Sequence, residues 1–560
     1  MPRRLYTGAG LFLLALAGFF VLLWQLQVSA GAAYYQKSQR SIAQIEEVPA
    51  ARGKLLDRRG NILAQDRGTW SLIPQEDSPD LARLRQLCRE EGVEWSGGAI
   101  ADPPDRLLAR VQEEGLEGVR FLQTVRREGS GTLAPHLLGR VGAMSQEEWA
   151  QYEPLGYALD DTVGKEGAEQ AFESLLHGTP GTRVVERDRA GRITNRRYAQ
   201  DPQPGQDVTL TLDRSLQQAL QEALGEFLQS HPQASAVSAV VLDVRDGGVL
   251  AMASLPGYDT ETFSSQYQAL SQDPAHPLLN RAMQGLYAPG STFKLVTAAA
   301  ALEEGIVTPE TEILDTGRYT YYKTPQPQCW LYREEGRTHG LETLSQALAD
   351  SCNVYFFDAG RRLGIETLNR YARALGLGEE TGIELAGEQT GVVAGPAYTQ
   401  GLGQTWYEGS VLSADIGQEN NRFTPLQLAH MTATLVGGGE RRQVHLLKKC
   451  GGEIYTPQSL GRVPLAPENL EAIKAGMLSL TQEGSLSTAF RDLPVKAGAK
   501  TGSAQVAGEE FANGVLVAFA PYEEPEVALA VVAEQGGSGS ALGGVAAAVL
   551  GAWFGDKGTR

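Results

Sequence analysis

Three short patterns in the sequence combine the residue types that serine acyl transfer requires. A serine precedes a lysine by one helical turn, a second serine lies close to an asparagine, and a lysine begins a Lys-Thr-Gly-Ser run. The residues are Ser291 with Lys294, Ser351 with Asn353, and Lys500, Thr501, Gly502 and Ser503. No other lysine follows a serine by three residues, and no other asparagine follows one by two. A nucleophile, a neighbouring base and a cationic strand together indicate a site that forms an acyl-enzyme.

The first pattern supplies the nucleophile and its base. A Pro-Gly pair precedes Ser291 and an apolar run follows it as far as Leu302, which predicts a buried helix that begins near the serine. Lys294 then lies on the same helix face, and the helix N-terminus favours the negative charge that develops during acyl transfer. Because a lysine accepts a proton only when it is neutral, we expect burial and the charge of Lys500 to lower its pKa from about 10.4.

The other two patterns supply proton transfer and substrate binding. Ser351 would relay protons and Asn353 would hold a substrate amide, because both lie in the predicted turn between two helices. The glycine of the Lys-Thr-Gly-Ser strand lets substrate backbone approach, while its lysine and hydroxyls can bind a substrate carboxylate. The backbone N–H groups of Ser291 and Ser503 form the predicted oxyanion hole. Taken singly, these patterns also fit ordinary helix caps and a polar edge strand.

The composition of the chain limits the kinds of partner. Its 560 residues, of which 42% are hydrophobic, are enough for two or more domains with their own cores. A formal net charge of -18 argues against nucleic acid, whose phosphates need clustered lysine and arginine. Four cysteines are too few for a disulfide framework in a chain of this length.

An uncharged run from Leu5 to Val28 predicts a membrane-spanning helix. As a helix these residues cover about 36 Å, which exceeds the hydrocarbon core of a bilayer. Two arginines precede the run, so residues 1–4 are predicted to stay in the cytoplasm and the rest of the chain to lie on the other side of the membrane. A cleaved signal peptide is the alternative, because residues 28–30 resemble a cleavage site, but its usual apolar core is only roughly 7–15 residues long.

The remaining chain is predicted to form two units of α+β structure. Residues 29–205 combine charged helical patterns with glycine-rich turns, and the run from Ala51 to Ala64 predicts a hairpin around an Asp-Arg-Arg-Gly-Asn turn. A polar segment with proline and glycine, 199–206, marks the boundary. In residues 206–560, apolar strand patterns separated by turns predict an antiparallel sheet covered by helices.

The chain resembles the class B penicillin-binding proteins, which are bitopic D,D-transpeptidases that cross-link peptidoglycan. In the catalytic part, the three patterns above carry the resemblance, together with the runs at 280–282 and 424–427. Earlier in the chain, the runs at 52–64 and 164–178 resemble two signatures of the family's non-catalytic pedestal. The resemblance therefore covers nearly the whole chain.

This resemblance implies a fold, a reaction and a set of partners. The expected fold is a transmembrane helix at 5–28, an elongated mixed pedestal at 29–205 and a transpeptidase domain at 206–560. Ser291 would attack the penultimate D-Ala of a stem peptide, and an amine of a neighbouring stem would resolve the acyl-enzyme into a cross-link. β-Lactams would acylate the same serine. The anchor and pedestal would dock a membrane glycosyltransferase of the shape, elongation, division and sporulation type, and the choice among these roles stays open.

The implied chemistry needs no cofactor and no metal, but four potential zinc ligands lie near the second pattern. They are Asp315, Cys329, His339 and Cys352, which are ligand types of tetrahedral structural zinc. A disulfide between Cys329 and Cys352 is the main alternative, and unrelated thiols are the third.

Two positions depart from the family pattern. Glu419 follows an Ile-Gly-Gln run where glycine is frequent, and Ser503 stands where threonine is commoner. Ser503 keeps the hydroxyl, so the change affects only substrate detail, whereas Glu419 can alter the charge of the cleft.

Two other functions share the three patterns. A β-lactamase or carboxypeptidase would use them too, but it needs no pedestal, and no Glu-x-x-Leu-Asn-type segment supplies a deacylating water. A catalytically silent scaffold that activates a glycosyltransferase is the other alternative. The intact set of catalytic residue types argues against such a scaffold.

Overall fold

The computed structural model describes residues 2–31, 43–159, 161–187, 193–506 and 508–555 of the chain. The chain begins with the helix Pro2–Trp24, which continues into a π-helical turn, Gln25–Ser29. Within these described ranges, Gly8–Ser29 is the one helix long and apolar enough to cross a membrane, and no other part of the chain buries it. The helix fits a bitopic membrane protein, and its orientation stays a prediction.

Three sheets contain the described strands that precede residue 206. The first has the strand order Ala43–Val48, Gly181–Arg187, Ile193–Gln200. The second has the order Glu453–Ile454, Leu447–Cys450, Val208–Leu210, Leu55–Leu56, Ile62–Pro74, Ile100–Ala101, and Val119–Glu128 also pairs with Ile62–Pro74. The third pairs Arg140–Ala143 with Thr162–Glu166. Since strands from beyond residue 206 join the second sheet, that sheet ties the two parts of the chain together.

The helices of this part are short. They are Leu81–Glu90, Asp105–Glu114, Pro135–Leu138, Gln146–Tyr152, Gly167–Ala171 and Glu173–Leu176, with a 3-10 turn at Glu153–Leu155. The first two pack on the strand Ile62–Pro74 and form a small separate core with it. The part of the chain before residue 206 is therefore mixed α and β, as predicted.

The hairpin predicted at 51–64 is confirmed. Leu55–Leu56 pairs antiparallel with the start of Ile62–Pro74. The buried carboxylate of Asp57 closes the turn, because its Oδ1 accepts 2.8 Å hydrogen bonds from the backbone N–H groups of Arg59 and Asn61.

Beside this hairpin, five charged side chains form a buried cluster, which we call the pedestal ion network. Arg52 lies 2.7 Å from Glu169 and 2.7 Å from Glu173. Arg127 lies 2.8 Å from Glu169 and 3.2 Å from Asp66. The network joins both runs that resemble pedestal signatures to the strand Val119–Glu128. Every buried cation in it faces a carboxylate.

A five-stranded antiparallel sheet, the central sheet, organises the rest of the chain. Its strand order is Val249–Leu255, Ala236–Asp243, Val527–Glu534, Asn513–Ala520, Gly498–Ala504. Helices cover both faces, so the inner strands are nearly continuous apolar runs. Arg214–Ser230 and Gly543–Gly555 pack on one face, and Pro425–Val436 packs on the other. The predicted antiparallel sheet covered by helices is confirmed.

The other helices of this part surround the central sheet. They are Phe263–Gln272, Arg281–Gln284, Lys294–Glu303, Trp330–Glu335, Leu344–Ala349, Asn353–Leu363, Ile365–Ala374, Pro396–Gly401, Val411–Ala414, Pro467–Gln482 and Ser487–Phe490. Three 3-10 turns occur at Gly290–Phe293, Glu408–Ser410 and Gly539–Leu542. Two small strand pairs complete the fold: Ile313–Asp315 with Gly340–Glu342, and Glu440–Arg442 with Ser459–Arg462.

Candidate active site

Ser291 lies in a tight turn pressed against the edge of the central sheet. It belongs to the 3-10 turn Gly290–Phe293, which runs directly into the helix Lys294–Glu303. The turn touches the edge strand so closely that a Cβ on Gly502 would lie 2.5 Å from the carbonyl oxygen of Pro289 and 3.3 Å from the Ser291 nitrogen. Only glycine fits there. The predicted position of Ser291 at a helix start is confirmed.

Lys294 is completely buried and donates hydrogen bonds to the turn that contains Ser351 and Asn353. Its Nζ donates to the Ser351 carbonyl oxygen at 2.7 Å, to Asn353 Oδ1 at 2.7 Å and to Ser351 Oγ at 3.2 Å. These bonds bring the first and second sequence patterns together. Ser351 itself has φ of 56°, a left-handed conformation that costs a non-glycine residue about 1–2 kcal/mol. Strain of this kind is concentrated at functional sites.

Lys500 donates a hydrogen bond to the same hydroxyl. It is also completely buried, and its Nζ donates to Ser351 Oγ at 3.1 Å and to the Thr501 carbonyl oxygen at 3.1 Å. Ser351 Oγ is therefore shared by the amines of Lys294 and Lys500. One hydroxyl joins all three sequence patterns.

Burial lowers the pKa of both lysines. The pKa of Lys294 falls to about 8 because burial disfavours its charge, although Cys352, Cys329 and Asp415 act against the fall. At that pKa about one Lys294 in ten is neutral at pH 7. Burial, and then the charge of Lys294, lower the pKa of Lys500 well below its usual value. From the sequence we expected the charge of Lys500 to lower the pKa of Lys294. In the structure, the charge of Lys294 instead lowers the pKa of Lys500.

The edge strand Gly498–Ala504 carries two more predicted residues, Thr501 and Ser503, and lies against the turn Gly290–Phe293. Thr501 is half-buried and Ser503 is exposed. Ser503 Oγ accepts a 3.3 Å hydrogen bond from the Gly539 N–H, and Gln418 Nε2 donates to the Ser503 carbonyl oxygen at 3.4 Å. Among the described strands, Gly498–Ala504 pairs with Asn513–Ala520 alone, so its other edge makes no strand pairing within them.

Sequence reasoning missed Asp415. Its carboxyl is completely buried, has no hydrogen-bond partner within the described residues, and packs against Gly360, where a Cβ would lie 2.1 Å from Oδ2. Burial raises its pKa well above the usual range. The signal was present, because an aspartate stands directly before the Ile-Gly-Gln run in an otherwise apolar stretch.

Glu419, the departure noted in the sequence, also adopts a left-handed conformation, with φ of 59°. Burial raises the pKa of its carboxyl. The preceding Gly417 carbonyl oxygen accepts a 3.0 Å hydrogen bond from the Gly290 N–H. Glu419 therefore follows a segment that touches the nucleophile turn.

The four potential zinc ligands do come together. One ligand atom from each of Asp315, Cys329, His339 and Cys352 lies within 4.8 Å of all the others. His339 Nδ1 is 2.8 Å from Asp315 Oδ2 and 3.5 Å from Cys329 Sγ. Cys329 Sγ also accepts a 3.4 Å hydrogen bond from the Asn353 N–H. Both cysteines are free thiols in the structure.

Comparisons with known proteins agree with this geometry. A family model of the penicillin-binding protein transpeptidase domain matches residues 237–554, and a model of the penicillin-binding protein dimerisation domain matches residues 101–210. The peptidoglycan D,D-transpeptidase MrdA of Acinetobacter baumannii is 29% identical, with 99% of this chain and 88% of the relative covered. MrdA of Escherichia coli K12 is also 29% identical, with 96% and 91% covered.

A solved structure shows the same architecture. It comes from a study of a peptidoglycan synthase complex that coordinates polymerization and crosslinking. The two chains are 32% identical and superpose with a TM-score of 0.79, covering 100% of this chain and 99% of that one.

The antiparallel sheet covered by helices, with the three sequence patterns gathered at its edge strand, is the architecture of a penicillin-binding transpeptidase domain. The chain belongs to the penicillin-binding protein transpeptidase family. With its dimerisation domain it is a class B penicillin-binding protein, and its catalytic domain is a D,D-transpeptidase.

Proposed function

We propose that this protein cross-links peptidoglycan through an acyl-enzyme on Ser291. The observation that carries the proposal is the hydrogen bonding of both buried lysines to Ser351 Oγ. This arrangement connects the nucleophile's helix, the second pattern and the substrate-binding strand through protons that can move. A catalytically silent scaffold would have no use for two lysines whose pKa values burial has lowered.

In the proposed first step, Ser291 Oγ attacks the carbonyl carbon of the penultimate D-Ala and gives its proton to the neutral amine of Lys294. The N–H groups of Ser291 and Ser503 stabilise the oxyanion. The C–N bond then breaks, and the departing D-Ala nitrogen takes a proton from Ser351 Oγ, which the ammonium formed on Lys294 replaces. In the second step, an amine of a neighbouring stem attacks the ester carbonyl carbon, the C–O bond to Ser291 breaks, and the proton that the attacking amine loses is returned to Ser291 Oγ.

The substrate is proposed to lie along the edge of Gly498–Ala504 that pairs with no described strand. Thr501 and Ser503 hydroxyls, with the nearby Lys500, bind the terminal carboxylate. Asn353 holds a substrate amide through its side-chain N–H, because its Oδ1 already accepts from Lys294. β-Lactams carry an equivalent carboxylate and acylate the same serine.

Mass spectrometry of the protein after exposure to penicillin tests this proposal. We expect one penicilloyl adduct on the peptide that contains Ser291, and none in Ser291→Ala. An adduct on another residue, or equal labelling of Ser291→Ala, would exclude the seryl mechanism. Release of D-Ala and formation of dimeric stem peptides from nascent peptidoglycan then distinguishes a transpeptidase from a β-lactamase or carboxypeptidase.

The membrane and partner assignments are part of the same proposal. Residues 1–4 stay in the cytoplasm, residues 5–28 span the membrane, and the pedestal supports the catalytic domain outside it. A membrane glycosyltransferase docks on the anchor and pedestal, which the similarity to a chain of a peptidoglycan synthase complex supports. Removing residues 1–28 should abolish co-purification with that partner while penicillin labelling persists; retained co-purification would contradict the docking.

We also propose a structural zinc ion at Asp315, Cys329, His339 and Cys352. The donor set fits, because tetrahedral zinc with bonds of about 2.0–2.3 Å places its ligand atoms roughly 3–4 Å apart. Within the coupled pair of thiols, the hydrogen bond with Cys352, and then that with His339, lower the pKa of Cys329, while the same pairing raises the pKa of Cys352, so Cys329 is the thiolate of the pair. Since Cys352 stands between Ser351 and Asn353, the ion would fix the catalytic turn.

Elemental analysis of the purified protein tests the zinc proposal. We expect about one zinc per chain, lost in Cys329→Ala and His339→Ala and kept in the control Cys450→Ala. A protein without zinc whose mass is lower by two hydrogens would instead contain the Cys329–Cys352 disulfide, and a protein with neither would contain unrelated thiols.

A further inference from the structure

Four tyrosines, two of them exposed, lie on segments connected to the proposed active site and have no role in the reaction described above. We call Tyr319, Tyr321, Tyr322 and Tyr407 the aromatic shelf. The rings of Tyr319 and Tyr321 are nearly parallel with centroids 6.4 Å apart, and Tyr322 meets Tyr321 edge-on at 5.0 Å. Tyr321 is 63% exposed and Tyr407 is 68% exposed. Exposed aromatic rings that lie together, rather than singly, can mark a binding surface.

The shelf is rigid, which distinguishes it from a set of loose surface side chains. The Arg361 guanidinium lies 3.9 Å from the centre of the Tyr321 ring and covers one of its faces. Arg361 Nε also donates to Tyr319 Oη at 2.6 Å, and Tyr319 Oη donates to Asp358 Oδ1 at 2.9 Å. The orientation of Tyr321 is therefore set before any ligand arrives, which lowers the entropy cost of binding.

The shelf is connected to the catalytic residues on one side by a helix. Arg361 and Asp358 belong to Asn353–Leu363, whose first residue is the catalytic asparagine. Arg361 follows Asn353 by eight residues, which corresponds to about 12 Å along the helix axis. A bound substrate that leaves the cleft in this direction meets the shelf within a few sugar or peptide units.

A second segment connects the shelf to the nucleophile turn. Tyr407 precedes the 3-10 turn Glu408–Ser410, and the chain then continues to Gly417, whose carbonyl oxygen accepts from Gly290. This segment touches the tyrosine segment, because a Cβ on Gly409 would lie 2.5 Å from Pro325 Cδ. Glu408, which directly follows Tyr407, is exposed on the same segment.

We propose that the aromatic shelf binds the glycan strand of the peptidoglycan substrate, with an N-acetylhexosamine ring packed against the exposed part of Tyr321. This inference rests on the proposed transpeptidation. The negative face of an aromatic ring attracts the polarised C–H groups of a hexose. The Glu408 carboxylate accepts hydrogen bonds from sugar hydroxyls, and the Tyr407 hydroxyl donates to the carbonyl oxygen of the acetamido group.

The composition of the surface favours a saccharide over a protein partner. The residues between the rings and Pro325 are Lys323 and Thr324, which are exposed and polar, and Glu408 adds a charge. The apolar core of a protein interface is instead depleted in charged residues. Rigid aromatic faces bordered by hydrogen-bonding groups suit a polar ligand with one apolar face.

Binding of a peptide-free glycan tests the proposal directly. The probe is a tetrasaccharide of alternating N-acetylglucosamine and N-acetylmuramic acid, titrated into the full-length protein in detergent and followed by NMR. We expect saturable binding that weakens at least tenfold in Tyr321→Ala and Tyr407→Ala. Tyr321→Phe keeps the ring and should bind within about threefold of wild type. The exposed Tyr198→Ala, on a distant strand, is the matched control and should bind as wild type.

Penicillin acylation of the same samples separates this inference from the proposed function. The shelf variants should acylate within twofold of the wild-type rate, which also shows that they are folded. The shelf proposal would be overturned if the wild type showed no saturable glycan binding. It would also be overturned if both alanine variants bound the glycan as tightly as the wild type, or if Tyr198→Ala lost as much affinity as they do. If the wild type binds glycan but penicillin does not acylate it, the proposed function fails and the glycan site stands.

Discussion

Two of the regions in which the protein buries charged side chains treat that charge in opposite ways. In the pedestal ion network, Arg52 and Arg127 both face Glu169, at 2.7 and 2.8 Å. In the proposed active site, Lys294 and Lys500 are buried next to one neutral hydroxyl, and in the described part of the chain neither forms an ion pair. The pedestal pairs its cations, whereas the active site places two cations close together without a carboxylate on either amine.

Buried charge that is paired contributes to the fold, whereas buried charge that is unpaired changes proton affinity. A buried charge with good partners keeps its charge and fixes the segments that carry it, and removing one partner is costly. Two like charges in a dry site cannot both persist, so the proton affinity of one or both must fall. A lysine whose pKa is lowered toward neutrality can act as a base. The cost of burying charge therefore helps to fix the fold in the pedestal ion network and lowers the pKa of a proposed base in the active site.

Replacing Lys294 should have the largest effect on the active-site side of this comparison. Lys294→Ala should acylate with penicillin about a thousandfold to ten-thousandfold more slowly, because general base catalysis is lost. Lys294→Arg should be as inactive, since a guanidinium does not deprotonate. Stopped-flow acylation of both variants and of the exposed Lys496→Arg measures the effect. An active Lys294→Arg would exclude the proton-acceptor role.

Breaking the pedestal ion network should instead cost stability. Glu169→Gln leaves Arg52 and Arg127 with incomplete partners and should lower the unfolding free energy by about 3–5 kcal/mol. The melting temperature should fall by on the order of 10 °C, while the acylation rate of the folded protein stays unchanged.

The matched control is Glu128→Gln, which breaks the exposed pair of Glu128 with Arg67, 3.2 Å apart. That change should cost less than about 1 kcal/mol. Similar melting temperatures for the two variants would contradict the distinction between paired buried charge and surface charge.

Variants of Ser351 test whether the hydroxyl shared by the two lysines has a role in the reaction as well as in packing. Ser351→Ala should slow acylation by about a hundredfold to a thousandfold, because proton relay to the leaving group is lost. Ser351→Gly relieves the left-handed strain but also lacks the hydroxyl, so it should be as slow while being at least as stable. If the glycine variant acylated at the wild-type rate, the relay would be wrong. Acylation rates and thermal melts of both variants decide the question.

Replacing Glu419 should have the smallest effect, and the property affected is the free energy of unfolding. Its φ of 59° is strained for any residue except glycine. Glu419→Gly should therefore raise the unfolding free energy by up to about 1 kcal/mol, an effect that thermal melts can resolve. Glu419→Ala keeps the strain and serves as the control. An unfavourable effect of the glycine variant would show that the side chain contributes contacts that outweigh the strain.

Much of the site was predictable because its residue types are rare and their spacing is local. Ser291 and Lys294 are one helical turn apart, so placing them together needs no tertiary information. The Asp57 turn was also predictable, because Asp-Arg-Arg-Gly-Asn closes a hairpin through its own side-chain hydrogen bonds.

What the sequence could not provide is contact between distant segments. The run Glu166 to Leu176 has a helical pattern, yet it forms two short helices, Gly167–Ala171 and Glu173–Leu176. Glu169 and Glu173 are bound to Arg52, more than a hundred residues away in sequence. The sharing of Ser351 Oγ by two lysines likewise depends on tertiary packing that no local pattern encodes.

The pH dependence of penicillin acylation tests the central claim, that Lys294 acts as a neutral base. Because the neutral fraction rises with pH, the second-order rate constant should rise about tenfold per pH unit below 8, reach half its maximum near pH 8 and then level off, in line with the lowered pKa of Lys294. Background reaction measured with Ser291→Ala is subtracted at each pH. A rate that is constant from pH 6 to 10, or that still rises above pH 10, would contradict the account.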